Sequence, residues 1–439
     1  MKKEDKLGIP ETRQHARKRK QKQIRNWIIG ILAVVCAIAA GVGLYAAHLY
    51  KTAEQAANKA YDSENAVKTT YGEFNGKKPF AVMLLGTDTG ALDRTEKRGN
   101  TDTIIVVVVN PKKKNYTMIS IPRDTMADMV GDDSNDVLKI NAAYSIGGAK
   151  MAMKTVSNLL NIPVKYYALV NMGGLMKLVD YVGGIYVTPP LTFTYSGFPF
   201  KKRVRQHLNG QAALAYSRMR YDDPQGDYGR QKRQREVITK LVQKLATADS
   251  LMNFSKIANN LSSNVKTNLS FQALKSILAN YSDCTSSSDS DYLHGYSAYV
   301  NGAAYQIAPT SELQRISNKI RKLLGLKTAT VSNRETELNT LNETAGFKFG
   351  SGETQNYTIY DPGTTADSVK SAKKSSKSSS SSKSSSQASS STTAYSTSSS
   401  STDYSGNTAY SGSTNYDTTY SYSYNYNYNY NTNPFSGGY

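Results

Sequence analysis

The residues with the clearest capacity for chemistry lie in one segment, Tyr216 to Arg235. This segment holds five arginines and three aspartates around a turn that contains proline and glycine. Guanidinium groups bind phosphate oxygens through paired hydrogen bonds, and several of them together suit a pyrophosphate better than a single carboxylate does. The segment therefore predicts an anion-binding site.

Helix geometry predicts different positions for the arginines of this segment. Arg230 and Gln234 are four residues apart, so they share the face of a predicted helix that apolar residues continue toward the core. Arg218 and Arg220 end the preceding predicted helix, and the turn between the helices lets the two ends converge. The N-terminus of the second helix adds backbone donors and a dipole that favours an anion.

The same spacing leaves Arg233 and Arg235 as predicted surface charges. A competing interpretation makes the whole segment a solvated basic surface, in which Asp222, Asp223 and Asp227 pair with the arginines. Because two members of the segment lie on the core-facing stripe of the helix, the anion site is the favoured interpretation.

Two aspartates stand at the ends of neighbouring predicted strands. Asp88 follows the first strand and Asp102 stands at the start of the second, with Gly90 and Gly99 available to fold the intervening loop back. Two carboxylates so placed can hold Mg²⁺ or Mn²⁺, since hard cations prefer oxygen ligands and share them with substrate phosphates. The alternative is that both aspartates cap turns.

A third polar stretch, Ser120–Asp124, places Arg123 directly after a buried strand. The guanidinium can form a salt bridge with the neighbouring Asp124 or point into a cleft. The sequence favours neither alternative.

Positioning these residues requires strands and helices in alternation. Apolar β-rich runs occur at Phe80–Leu85, Thr103–Val109 and Tyr116–Ile121, and residues 110–115 are typical of a hairpin loop. The middle run is nearly continuous and is therefore predicted to be buried on both faces. Helix and strand signals alternate after these runs, so we expect an α/β fold with a mixed central sheet flanked by helices on both faces, in three layers.

Two predicted helices frame the arginine segment. Asn209 is a suitable N-cap for a helix through Gln211–Tyr216, and a second helix is expected from about Asp227 to Ala248. Further along the chain we expect a polar insertion at Ser282–Asp291 and a strand near Ala304–Ile307.

The N-terminal residues predict a membrane anchor. Residues 1–25 hold ten Lys or Arg against three acids, and residues 26–50 contain no Lys, Arg, Asp or Glu. A run of that length can cross a bilayer, and the basic flank predicts a cytoplasmic N-terminus with all later residues outside the cell. A cleaved signal peptide is the weaker alternative, because the apolar run exceeds the usual hydrophobic region of such a peptide.

The rest of the chain divides by composition. Residues 51–78 are predicted to form a polar stalk, residues 79–330 an extracytoplasmic domain with its polar motifs in 80–245, and residues 331–362 a linker. Residues 363–439 are rich in Ser, Tyr and Asn and poor in aliphatic residues, which predicts disorder. Tyrosine rings of this tail could also contact glycan, but a solvated tail is favoured.

Composition excludes several classes of site. The formal net charge of +20 predicts an acidic partner, and the predicted topology opposes nucleic acid as that partner. Cys36 lies in the predicted span and Cys284 far outside it, so neither a disulfide framework nor a cysteine metal site is expected. None of the four histidines is favoured as catalytic.

Taken in order, these motifs resemble the LytR-CpsA-Psr family of cell-envelope phosphotransferases. The resemblance covers Phe80 to about Leu245. It rests on seven stretches: Leu84–Asp88, Thr101–Thr103, Ser120–Asp124, Lys139–Tyr144, Val182–Ile185, Leu208–Arg220 and Asp227–Gln234.

The resemblance implies an enzyme of Gram-positive bacteria. Such enzymes move wall teichoic acid or capsular polysaccharide from an undecaprenyl-pyrophosphate carrier to peptidoglycan. By motif position, the residues implied to bind the pyrophosphate are Arg123, Arg218, Arg220, Arg230 and Gln234, with Arg218 and Arg220 also catalytic. Asp88 and Asp102 are implied to hold Mg²⁺, and Asp227 to accept the proton of the incoming glycan hydroxyl.

One position departs from the family pattern. Many members carry arginine two residues before the second aspartate, where this chain has Asn100. Arg98 or Arg94 is a candidate to substitute for it, with Arg98 the one included in the predicted site.

Other functions stay open at this point. A pyrophosphate hydrolase would use the same residues with water as the acceptor. A transcriptional regulator is opposed by the predicted topology, and the tyrosine-rich tail suggests a non-catalytic wall-binding protein as a third class.

Overall fold

The computed structural model describes residues 50–67, 72–90, 98–131, 136–245 and 264–380, with side chains as far as residue 373. Within these ranges, no helix has the length and apolar character that a membrane span requires. The predicted span at 26–50 lies outside the described residues except for Tyr50.

The described elements alternate between strands and helices, as expected. In chain order the strands are β1 (Phe80–Thr87), β2 (Thr101–Asn110), β3 (Asn115–Ser120), β4 (Met126–Asp128), β5 (Val137–Lys139), β6 (Tyr166–Asn171), β7 (Ile185–Val187), β8 (Phe193–Tyr195), β9 (Phe198–Phe200), β10 (Gln206–Leu208), β11 (Val265–Thr267), β12 (Ser288–Tyr292), β13 (Tyr296–Val300), β14 (Ala303–Ile307) and β15 (Gln355–Asn356). The helices are α1 (Ala142–Leu160), α2 (Met172–Tyr181), α3 (Gly210–Arg218), α4 (Gly226–Leu245), α5 (Phe271–Tyr281), α6 (Thr310–Leu323), α7 (Arg334–Ala345) and α8 (Ala366–Ser380).

The centre of the domain is a six-stranded mixed sheet in the order β11-β6-β1-β2-β3-β12. The pairs β1–β2 and β2–β3 are antiparallel, which confirms the predicted hairpin. The pairs β1–β6 and β3–β12 are parallel. The carboxyl ends of β1, β3, β6 and β12 therefore meet at one edge of the sheet.

Side chains alternate between the two faces of this sheet, and both faces are covered. On one face Met83, Val106 and Ile119 are buried in a core cluster that includes residues of α1 and α6. On the other face Ile105 and Met118 pack with residues of α4, and α5 covers the neighbouring strands. The predicted three-layer α/β arrangement with a mixed sheet is confirmed for the described residues.

The described parts of the predicted stalk at 51–78, which are residues 51–67 and 72–78, pack against the domain instead. The backbone N–H of Asp62 donates to the carbonyl of Thr267 at 2.8 Å, and the Tyr167 hydroxyl donates to Asp62 Oδ2 at 2.5 Å. Phe74 is buried in a core cluster beneath β1 and β6. These contacts hold the segment on the sheet rather than extending it away.

The segment predicted as a polar insertion contributes the edge strand β12 of the central sheet. Its residues pair with β3 in parallel, for example Ser290 with Met118. An edge strand is held by backbone hydrogen bonds while its side chains face solvent, so a polar composition is compatible with it.

The predicted linker at 331–362 is also folded. It forms α7 and β15, and β15 pairs with β13. Leu338 and Tyr357 are buried in the same core cluster as Ala298 of β13. The tail predicted to be disordered begins with α8, whose Val369 is buried, and the later tail residues lie outside the described ranges.

Candidate active site

The three predicted polar stretches come together at the carboxyl edge of β1 and β3. Thr87 at the end of β1 pairs with Thr101, and a bulge in the pairing leaves Asp102 as the extra residue of β2. Since β3 runs antiparallel to β2, the chain beyond Ser120 brings Arg123 to the same edge.

Arg123 pairs with carboxylates from two directions. Its Nη1 lies 2.6 Å from Asp102 Oδ1, and its Nε lies 3.5 Å from Asp124 Oδ2. Burial disfavours the charged guanidinium, but the charges of Asp102, Asp124 and Asp227 outweigh that cost and raise the pKa of Arg123. The salt bridge with the neighbouring Asp124 is present, but the closer partner of Arg123 is Asp102 at the end of the sheet.

Arg230 is the most buried arginine of the predicted pyrophosphate set. It is 6% exposed, and its Nη2 lies 2.5 Å from Asp227 Oδ1. Its Nε is buried and has no hydrogen-bond partner among the described residues. Burial lowers the pKa of Arg230; Asp227 opposes this shift, while the positive charges of Arg123 and Arg220 add to it.

Gln231 belongs to the site although sequence reasoning missed it. Its side chain is buried, and its Nε2 donates to Asp227 Oδ2 at 2.7 Å. The spacing of four residues from Asp227 was the available signal, because residues i and i+4 meet on a helix. Gln234, which was predicted instead, is half-buried, and its side chain forms no hydrogen bond within the described part of the chain.

Arg218 and Arg220 stand at the end of α3, with their side chains half-buried. The Asn209 side chain accepts a hydrogen bond from the backbone N–H of Ala212 at 2.9 Å, which confirms the predicted N-cap of that helix. Arg220 lies over the ring of the exposed Tyr221, 4.8 Å from its centroid. In the described ranges, neither arginine forms an ion pair with a carboxylate.

The prediction that Arg233 is a surface charge is wrong. Arg233 is 1% exposed; its Nη1 bonds to Asp223 Oδ2 and its Nη2 to the carbonyl of Met219. Its Nε donates to the carbonyl of Tyr216 at 3.1 Å. The approach of Asp223 to α4 requires Gly229, since a Cβ there would lie 1.9 Å from Asp223 Oδ2.

The prediction that Arg235 is a surface charge is also wrong, because Arg235 is buried against the central sheet. Arg235 is buried, and its Nη1 donates to Ser120 Oγ at 2.6 Å. Arg235 thereby ties α4 to the end of β3, three residues before Arg123.

Two returning segments meet the chain at Asp88 and Gly90. A Cβ on Gly99 would lie 2.5 Å from Asp88 Oδ1, so the chain leading into β2 passes directly over the carboxylate. On the other side, a Cβ on Gly90 would lie 2.4 Å from Nδ2 of Asn171, a residue that sequence reasoning did not single out. Asn171 ends β6 and caps α2, which brings that helix to the same edge.

The donor set at this edge fits a hard cation sharing its ligands with a phosphate. No group of three or more His, Cys, Asp or Glu able to hold a metal occurs among the described residues. The predicted ligands are the oxygens of Asp88 and Asp102, and Asp102 Oδ1 also lies 2.6 Å from Arg123 Nη1. Mg²⁺ keeps several waters and takes one or two carboxylates plus substrate phosphates, which agrees with two aspartates at an open edge.

Arg98 and Asn100 lie beside α1 rather than against the other arginines. Arg98 is exposed, and its guanidinium carbon lies 3.9 Å from the position of a Cβ on Gly148, where α1 is interrupted. Burial raises the pKa of Tyr144, and the nearby charge of Arg98 opposes that rise. Asn100 accepts a hydrogen bond from Ser145 Oγ at 3.0 Å. Arg94 lies outside the described residues.

Comparison with known proteins identifies the family of this chain. The LytR_cpsA_psr family profile matches residues 44–322. The polyisoprenyl-teichoic acid–peptidoglycan teichoic acid transferase TagU of Enterococcus faecalis is 42% identical over 308 residues, which cover 70% of this chain and 99% of the relative. Biofilm regulatory protein A of Streptococcus mutans is 40% identical over 329 residues, covering 70% of this chain and 79% of the relative.

Two solved structures share the fold. A Streptococcus agalactiae protein is similar with a TM-score of 0.56 at 39% identity, covering 61% of this chain and 94% of that protein. An Enterococcus faecalis protein described as a transcriptional regulator is similar with a TM-score of 0.52 at 39% identity, covering 58% of this chain and 91% of that protein.

Proposed function

Since the chain belongs to the LytR-CpsA-Psr family, we propose that it is a phosphotransferase that moves an anionic glycopolymer from a polyisoprenyl-pyrophosphate carrier onto peptidoglycan. The TagU relatives are named for the transfer of teichoic acid to peptidoglycan. For this chain the carrier is undecaprenyl pyrophosphate, and the polymer is of the wall teichoic acid or capsular polysaccharide type.

The observation that carries the proposal is the incomplete neutralisation of Arg230. This buried guanidinium has one carboxylate partner, a buried Nε without a partner in the described residues, and two further arginines nearby. A buried donor or charge without its partner costs free energy. Phosphate oxygens supply both the missing acceptor and the missing negative charge, so a pyrophosphate completes the site.

The reaction joins the acceptor oxygen to the phosphorus that carries the sugar. As that bond forms, the bond from the same phosphorus to the bridging oxygen of the pyrophosphate breaks. The products are a phosphodiester between glycopolymer and peptidoglycan, and a polyprenyl phosphate. Such a transfer needs charge stabilisation and in-line positioning more than a strong nucleophile.

Each group of site residues has a separate role in this reaction. The proton of the acceptor hydroxyl passes to Asp227, whose carboxylate is oriented by Gln231 and Arg230. The arginines that hold the pyrophosphate oxygens are Arg123, Arg218, Arg220 and Arg230, with Gln234 and Arg98 at the margins of the site. Asp88 and Asp102 would hold Mg²⁺ or Mn²⁺, which when bound supplies positive charge to the pyrophosphate.

The proposed location follows from the predicted span at residues 26–50. The N-terminus lies in the cytoplasm and the catalytic domain outside the cell membrane, where peptidoglycan is available. A tag after residue 439 that is accessible to an impermeant label in intact cells supports this topology, and a protected tag contradicts it.

The transfer itself is tested with the full-length protein in detergent. A lipid-pyrophosphate glycan, Mg²⁺ and peptidoglycan should give coupled polymer, and both Arg218→Ala and Arg230→Ala should reduce the yield. Lys232→Ala is the matched control, because Lys232 is an exposed cation of the same helix. Unchanged coupling by both arginine variants contradicts the site, and release of free polymer without coupling identifies a hydrolase instead.

A further inference from the structure

A group of ring side chains extends from the active site toward the small sheet of β13, β14 and β15. The ring of Tyr228 lies 4.9 Å from Tyr292 and 5.6 Å from His294, measured between centroids. His294 lies 4.9 Å from Tyr296, and Tyr296 lies 5.8 Å from Phe349. We call these five residues the aromatic cluster.

One end of the aromatic cluster lies beside Asp227, the residue proposed to accept the proton. Tyr228 directly follows Asp227 in the first turn of α4. Because β12 is parallel to β3, its last residue, Tyr292, pairs with Ser120 at the sheet edge that also carries Arg123. The cluster therefore starts beside the residue proposed to accept the proton and leads away from it.

Tyr228 is fixed in place, whereas the rings beyond it are accessible. The Tyr228 hydroxyl accepts from the backbone N–H of Gly295 at 2.9 Å and lies 3.2 Å from Gln306 Oε1. Tyr292 is 36% exposed, and Tyr296 is half-buried. Accessible rings held by a rigid neighbour present a preformed surface to a ligand.

The charges around the aromatic cluster neutralise one another. Arg315 Nη1 lies 2.9 Å from Asp291 Oδ2, and Arg315 Nε lies 2.6 Å from Glu312 Oε2. Lys319 Nζ lies 2.7 Å from Asp291 Oδ2. This pairing contrasts with the arginine site, where positive charge is in excess. A neutral surface of rings and hydroxyls suits an uncharged sugar chain, whose C–H faces pack on rings and whose hydroxyls form hydrogen bonds.

We propose that the aromatic cluster binds the uncharged glycan backbone of the acceptor and directs a sugar hydroxyl to Asp227. The inference rests on the proposed transferase function and adds an acceptor subsite to it. The acceptor is chosen over the donor polymer because the donor is anionic, and charge complementarity places an anion at the arginines rather than at a neutral surface.

The test measures equilibrium binding by the full-length protein of two probes, uncharged strands of β-1,4-linked N-acetylglucosamine, which carry no lactyl carboxylate, and poly(glycerol phosphate). The double variant Tyr292→Ala/Tyr296→Ala should weaken strand binding about ten-fold and leave poly(glycerol phosphate) binding unchanged. Tyr299→Ala is the matched control: Tyr299 lies in β13, is 40% exposed and makes no ring contact among the described residues. It should change neither affinity.

A second variant separates loss of rings from loss of folding. Tyr292→Phe/Tyr296→Phe retains both rings and should bind strands as the unaltered protein does; a ten-fold loss in this variant contradicts stacking. Unchanged strand binding by the alanine double variant, no strand binding by the unaltered protein, or weaker binding of poly(glycerol phosphate) instead would each overturn the proposal. If the unaltered protein shows no transfer while the strand-binding pattern holds, the transferase function fails and the glycan site stands.

Discussion

Arg230 and Arg233 lie three residues apart in α4, and their surroundings differ. Arg233 donates to three acceptors, on Tyr216, Met219 and Asp223, so its charge and its donors are satisfied by the folded chain. Arg230 has one carboxylate and a buried Nε without a partner in the described residues. A buried guanidinium whose acceptors are complete holds the fold, whereas one with a missing acceptor is open to an anion where other arginines stand beside it. Arg235 does not meet that second condition, although its buried Nε also lacks a partner in the described residues.

The largest expected effect is on the free energy of unfolding, and it tests the role of Arg233 in the fold. Arg233→Ala leaves the buried Asp223 carboxylate without its cation, so the free energy of unfolding should fall by about 3–5 kcal/mol. Chemical denaturation of the variant measures this change. Lys232→Ala, at an exposed position, should stay within about 0.5 kcal/mol of the unaltered protein. A similar small change in Arg233→Ala would remove the distinction.

The next largest effect is on the rate of polymer transfer, and it tests the role of Arg230 in binding the pyrophosphate. Arg230→Ala should lower the rate of polymer transfer by about 10²–10³-fold, because a group that stabilises charge in the transition state is lost. Its free energy of unfolding should fall by less than that of Arg233→Ala, because the Asp227 carboxylate left behind is partly exposed and keeps its hydrogen bond from Gln231, and the variant no longer buries an incompletely paired charge. A loss of stability comparable with that of Arg233→Ala would show that both arginines serve the fold.

Glu335 extends the comparison to a buried acid away from the site. It is 2% exposed; Oε1 accepts from the backbone N–H of Asp128 at 2.8 Å, and Oε2 has no hydrogen-bond partner among the described residues. Burial raises the pKa of Glu335 from 4.5 to about 7. Between these values the folded protein holds a proton that the unfolded chain has released.

Stability should therefore fall as pH rises through this window, by about 3 kcal/mol in total from this residue. Unfolding measured at about pH 5 and about pH 8 tests the sign and the size of the change. Glu335→Gln cannot ionise and should flatten the pH dependence without altering transfer. An equally steep dependence in Glu335→Gln would assign it to another group.

The smallest effect concerns Arg235, which is buried but bonds to a single neutral hydroxyl, that of Ser120. Burial lowers the pKa of Arg235, and Asp291 opposes the shift. Arg235→Met replaces a buried charge with an apolar side chain, which is often neutral or stabilising, so we expect a change of about 1 kcal/mol or less. Denaturation compares it with Arg233→Met; equal losses in both would contradict the role of the acceptor number.

Periodicity and capping predicted the elements near the site well. The strand runs, the hairpin at 110–115, the Asn209 cap and the start of α4 all depend on neighbours in sequence. Periodicity failed for Arg233 and Arg235 because it assumes one buried face. In the structure α4 packs against the central sheet through Ile238 and Val242 and against a second core through Val237 and Leu241, so a wider arc of the helix is covered.

The predictions made from composition were also wrong for the polar segments that the structure shows to be folded. The residues of α7 include Asn339 and Asn342, which are buried with their side-chain amides bonded to backbone carbonyls. Their burial depends on partners such as Ala308 and Thr358, which lie elsewhere along the chain. A polar residue is compatible with a core once its hydrogen bonds are satisfied, and composition does not report those partners.

The amino-acid sequence alone was sufficient for the family resemblance, for the alternation of elements, and for the chemical types gathered between Tyr216 and Arg235. Residue type and local spacing carry that information. The division of the arginines between fold and ligand, the place of Gln231, and the meeting of Tyr228 with Tyr292 required the folded chain. The reason is that β12 pairs with β3 across more than a third of the sequence, and such long-range pairing leaves no local pattern.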